Sequence, residues 1–200
     1  MLLAVFFGSL GLAFYIVLPW IAIGIVARFP GDFTLFRDGS YDSRLPLLML
    51  WFFGAWNLGG PPDVKFLGDW ASPIWMACIP ATLLFLAIVA ADRFLSKRTE
   101  TGLILPLLLS CIYAYGVVLD LNVRLDRSPA RTFQSRVVDM IYRAKVGPTL
   151  VIDPCGPLNE RNRVRVSQAE FSKFQRGGPV CVLVRDGAFG LSWYRAQSCP

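Results

Sequence analysis

Residues 101–121, TGLILPLLLSCIYAYGVVLDL, run without a charge until Asp120. About 20 apolar residues carry a helix across the hydrocarbon core of a bilayer, and this run supplies them. Just before it stand Arg93, Lys97 and Arg98, the densest basic cluster of the N-terminal half. After it the apolar runs stop, and residues 122–200 alternate polar and apolar positions in the manner of strands. The segment thus divides a membrane-type half from a water-facing half.

The composition agrees. Of 200 residues, 54% are hydrophobic and only 17% charged, against about 25% charged in soluble domains, and the apolar residues come in blocks. The net charge of +6 would suit a polyanion. Its arginines, however, lie beside the apolar segments and along the tail, where anionic lipid headgroups are nearer partners than nucleic acid. The chain has no histidine. That removes Ser-His-Asp and Cys-His catalysis, histidine-ligated haem and nearly all common zinc sites.

Working towards the N-terminus, residues 70–91 form a second span, with Trp70 and Trp75 as interface anchors and Pro73 and Pro80 as bends. Residues 45–60 are apolar but short, and Gly59-Gly60-Pro61-Pro62 end any helix there; the segment either spans or re-enters. Residues 2–27 are uncharged, too long for a signal-peptide core and without a basic leader, so they are expected to be a first span. Within them Ala4, Gly8, Gly11, Tyr15, Leu18 and Ala22 make a stripe suited to close helix packing. Pro19 should kink that helix.

The positive-inside rule then orients the chain. With Arg93, Lys97 and Arg98 in the cytoplasm, the tail lies outside. Four spans also place Arg28, Arg37 and Arg44 inside, whereas three spans would send them out; Arg124, Arg127, Arg131 and Arg136 count against an outside tail. The expected architecture is four transmembrane helices over residues 1–121, a linker over 122–131, and a small all-β domain over 132–200. Strand-like segments fall at 132–142, 148–153, 162–167, 179–185 and 189–195. Ser167 to Glu170 fits a capping box opening a short helix with Phe171 and Phe174 on its apolar face. Asp186-Gly187 reads as a tight hairpin turn. Five strands and one short helix suggest a partly open barrel of OB or SH3 type.

The stretch GGPVCVLVRDGAFGLSWY, residues 177–194, resembles the closing strands of uncharacterised bacterial multi-span inner-membrane proteins with a small extramembrane β-domain. The likeness covers the last third of the chain. It implies a bacterial inner-membrane location, and brings no activity, substrate or site residue; with the tail outside, as the charges orient it, the β-domain is expected in the periplasm.

Three constellations bear on function. Cys155-Gly156-Pro157 is most of a CGPC redox signature, but Leu158 occupies the place of the second cysteine. A structural disulfide fits better in an oxidising compartment. Cys155 and Cys199, both in Pro-bearing loops, are the expected pair, while Cys181, beside Val180 and Val182, reads as a small buried hydrophobe. Arg161, Arg163 and Arg165 alternate along one strand face; they would contact an anion or lipid headgroup, or form an ordinary solvated surface. The spans carry no Asp, Glu, Lys or Arg, the last of them up to residue 119, so they lack the charges on which ion paths usually rely. The expectation is a non-enzymatic integral membrane accessory, assembly or scaffold protein. It needs no cofactor or metal, binds no nucleic acid, and partners the lipid bilayer and a membrane protein or further copies of itself. A small oligomeric channel or transporter subunit is the alternative, and a membrane-tethered thiol-active protein the third reading.

Overall fold

The computed structural model describes residues 16–28, 63–68, 71–91, 101–143 and 147–199. They divide into two compact units. One holds 16–28, 73–91 and 101–118; the other holds 63–68, 71–72, 119–143 and 147–199. The expected span at 45–60 and the basic residues at 93–98 lie outside the described residues.

Among the described residues the first unit holds three helices: α1 (Ile16–Arg28), α2 (Ala71–Ala91) and the first part of α3 (Thr101–Arg124). Two of them, α2 and α3, are long and apolar enough to cross a membrane, with mean hydropathy 2.3 and 1.6 over their most apolar windows. In α2 the buried positions are Pro73, Ala77, Ala81, Leu84, Ile88 and Ala91, at three- and four-residue spacing. Trp75, Ile79, Leu83 and Leu86 are exposed. A helix apolar on every face suits a protein core or a membrane span. The core joins Ala22, Ile23 and Val26 to Leu84, Ile88, Leu109 and Tyr113. Leu18 and Ala22, the last two positions of the small-residue stripe, are buried in this unit; Ala4, Gly8 and Gly11 lie outside the described residues.

Polar atoms in this unit are answered locally. Tyr113 Oη donates to the Ile16 carbonyl at 3.1 Å. The fully buried Ser110 hydroxyl donates to the Pro106 carbonyl at 2.8 Å. Pro80 and Pro106 sit inside helices that continue past them. The last helix ends three residues later than expected, at Arg124. Arg124 bonds Asp120 at 2.7 Å one turn back, a cation well placed at the negative end of the helix dipole.

The second unit is a nearly closed, all-antiparallel sheet. Its strands are β1 (Lys65–Phe66), β2 (Arg131–Arg143), β3 (Gly147–Ile152), β4 (Asn162–Arg165), β5 (Pro179–Arg185) and β6 (Trp193–Gln197), in the order β1-β6-β5-β2-β3-β4. The long β2 serves both halves: residues 131–136 pair with β5, and residues 137–143 pair with β3 across an irregularity at 137–139. Both β4 and β6 lie two antiparallel steps from β2, so they run in the same direction. No backbone ladder joins them. Side chains close the seam instead: Tyr194 Oη and Lys65 Nζ both donate to Asn162 Oδ1, at 3.2 and 3.1 Å.

Alternation sends Val137, Leu150, Ile152, Val164, Val180, Val182, Val184 and Tyr194 into one core. The short helix α4 (Gln168–Phe171) and the turn after it cover part of it, with Phe171 and the buried Phe174. Ser167 Oγ accepts the Glu170 amide at 3.2 Å, as the capping motif predicts. The Glu170 carboxylate does not complete the box; it accepts from Lys173 at 2.6 Å and from the Ser198 amide at 3.3 Å.

Two expectations about the sheet differ from what is observed. Residues 65–66, which lie outside the expected β-domain of 132–200, form an edge strand against β6. Asp186-Gly187 is not a two-residue turn: the register pairs Arg185 with Trp193, leaving a seven-residue loop over 186–192, and β6 starts at 193, not 189. That loop wraps the end of α3, for which a two-residue turn has no room.

Candidate anion-binding groove

The groove is built on the outward face of β2, β3 and β4. On that face Ile141, Thr149 and Arg165 stand opposite one another in one row across the three strands. Arg143 follows at the end of β2, and Arg163 stands two residues before Arg165. Together Ile141, Arg143, Thr149, Arg163 and Arg165 line an open concavity of about 220 Å³. Three exposed guanidinia converge there with one hydroxyl.

The neighbouring acids are already taken. Asp139, in the next row of the same face, pairs with Arg176 at 2.6 Å. Asp153 pairs with Arg161 at 3.2 Å. Among the described residues no carboxylate forms an ion pair with Arg143, Arg163 or Arg165. The predicted triplet is therefore recomposed. Arg163 and Arg165 stay together on β4; Arg161 precedes the strand and is occupied by Asp153. Arg143 takes its place, 20 residues away in sequence, through a register that no local pattern announces.

The cysteines are also reassigned. Cys181 and Cys199 form the disulfide, with Cα atoms 5.0 Å apart, so the expected Cys155–Cys199 bond does not exist and Cys155 carries a free thiol. The reason is the period of a strand. Val180, Val182 and Val184 point into the barrel core, so Cys181 faces the other way, and its register partner is Gln197, two residues before Cys199. Cys155 packs against the core itself. The sheet stands between them.

Cys155 and Leu158 exchange backbone hydrogen bonds at 2.9 and 3.0 Å around Gly156, whose φ is +51°. A Cβ on Gly156 would lie 2.6 Å from the Phe133 ring. Burial pushes the Cys155 thiol up, against a hydrogen bond with Ser135. A reactive thiol needs the opposite shift, and the CGP segment serves here as a tight turn.

A second polar cluster was invisible in the sequence because its members are some 65 residues apart. Asn122, fully buried, donates from Nδ2 to the Leu191 carbonyl at 2.8 Å and accepts the Phe189 amide on Oδ1 at 2.9 Å. Its own carbonyl accepts the Ala188 amide at 3.0 Å. Asp126 accepts from the Trp193 indole at 2.7 Å, the Ser128 amide at 2.7 Å and the Gly187 amide at 3.2 Å. Burial works to raise the Asp126 pKa, but hydrogen bonds from Ser128, Trp193 and Gly187 outweigh it and hold the carboxyl below its ordinary value. Gly187 has φ +78°, and a Cβ there would meet the Asn122 amide at 2.5 Å. The loop over 186–192 is thus moulded onto the residues that end α3.

Among the described residues no three Cys, Asp or Glu side chains converge as metal ligands. No family model, no curated protein and no solved structure matches the chain.

Proposed function

We propose that the protein is a non-enzymatic integral membrane component of accessory, assembly or scaffold kind. Its apolar helices anchor it, and the barrel offers its arginine-lined face to a partner protein or to the lipid surface. The observation that carries the reading is the groove of Arg143, Arg163 and Arg165, whose charges no carboxylate answers among the described residues. The exposed apolar side chains of α2 support the anchoring. In this reading the chain has four spans and lies in a bacterial inner membrane, with the barrel in the periplasm; an outside barrel suits the Cys181–Cys199 disulfide. The long shared strand β2, with a short helix between β4 and β5, favours the OB variant of the barrel.

Co-purification from a mild detergent tests the role. The expected result is a stoichiometric complex with a larger membrane protein. A ring of identical chains would replace this reading with that of a pore subunit.

A further inference from the structure

Resting on the anchored-barrel reading, we propose that the groove between β2 and β4 is a headgroup site for an anionic phospholipid, in which Arg143, Arg163 and Arg165 hold the phosphodiester and Thr149 donates to it.

Charge complementarity comes first. Arg163 and Arg165 share one strand face, and Arg143 borders the same concavity. Like charges gathered on one face repel, and in this domain the nearby Asp139 and Asp153 are drawn off to Arg176 and Arg161. An anion from outside relieves that repulsion. Guanidinia suit a phosphodiester because their donors are planar and fork onto two oxygens at once. Thr149, level with Arg165, adds a neutral donor on the floor of the groove.

The surroundings favour lipid as the source. Tyr142, at the same end of β2 but on the opposite face from Ile141 and Arg143, is 64% exposed, and exposed tyrosine is enriched at the bilayer interface. Ile141 gives the groove an apolar wall.

The test uses the full-length protein in an uncharged detergent, titrated with dihexanoyl-phosphatidylglycerol, dihexanoyl-phosphatidylcholine and inorganic phosphate, with binding read by calorimetry. The expected result is saturable binding of the phosphatidylglycerol and much weaker binding of the other two. Glutamine at 143, 163 and 165 together should weaken it about tenfold or more, lysine at all three, which keeps the charge but loses the fork, should restore it only in part, and Arg161→Gln should change it little. An intact Cys181–Cys199 bond in each variant, checked by peptide mapping, shows that the barrel is folded. Equal binding of both lipids, or of the glutamine variant and the parent, overturns the proposal. Tighter binding of inorganic phosphate than of lipid overturns it in favour of a free-anion site. None of these failures touches the scaffold role, which stands or falls on co-purification.

Discussion

Asp126 shows how a single carboxylate can be held ionised while buried. Three donors, the indole of Trp193 and the amides of Ser128 and Gly187, converge on its two oxygens. Arg185 adds a guanidinium 6.0 Å from the centroid of the Trp193 ring and a bond to the Asp126 carbonyl at 3.5 Å. The carboxyl is held below its ordinary value. A depressed folded-state pKa contributes stability that is present above the unfolded value, about 3.9 for Asp, and is lost as pH falls through the folded value. The Trp193 indole N–H resonance should therefore keep its position down to about pH 4 and move only below it. A midpoint above the ordinary carboxylate range would contradict the assignment. Asp126→Asn should abolish that titration and cost roughly 1–3 kcal/mol at neutral pH, the scale for disturbing a buried, charge-assisted hydrogen bond.

Among the elements, β5 bears most of the barrel. Its residues 180–184 are all buried, because one face enters the core and the other is covered at Cys181 by the disulfide to Cys199. That bond ties β5 to the chain end just after β6. Its 18-residue separation corresponds to about 3 kcal/mol of chain entropy. Cys181→Ser or Cys199→Ser should make the β unit sensitive to protease, while Cys155→Ser should leave its resistance unchanged. Non-reducing peptide mapping reads the pairing directly. A mapped bond to Cys155 would refute the topology of faces given above, since it requires a side chain to cross the sheet.

For the whole molecule, the expected topology rests on Arg93, Lys97 and Arg98 lying in the cytoplasm. A reporter active only outside the cytoplasm should be active when fused after residue 200 and silent when fused after Lys97. The reverse pattern would place the barrel inside and remove the oxidising compartment that its disulfide calls for. The lipid titration is made in detergent, without a membrane to orient the chain, so it and the topology assay report on separate questions.

The two segments long and apolar enough to cross a membrane, the first four strand segments of the tail and the capped helix after Ser167 were legible in the sequence. Each depends on periodicity or composition within a few residues, and such signals act locally. Which arginines share a groove, which cysteines share a face and what the 186–192 loop covers were decided only by tertiary structure. Arg143 meets Arg163 and Arg165 because β3 sets the register between β2 and β4. Cys199 pairs with Cys181 and not with Cys155 because Cys181, between two core valines, points to the face away from the core, a rule the expectation for Cys181 overlooked. Asn122 and Asp126 find the 186–193 segment across some 65 residues, where chain order carries no signal. The strand period determines that a residue faces in or out; only the pairing of strands determines what it faces.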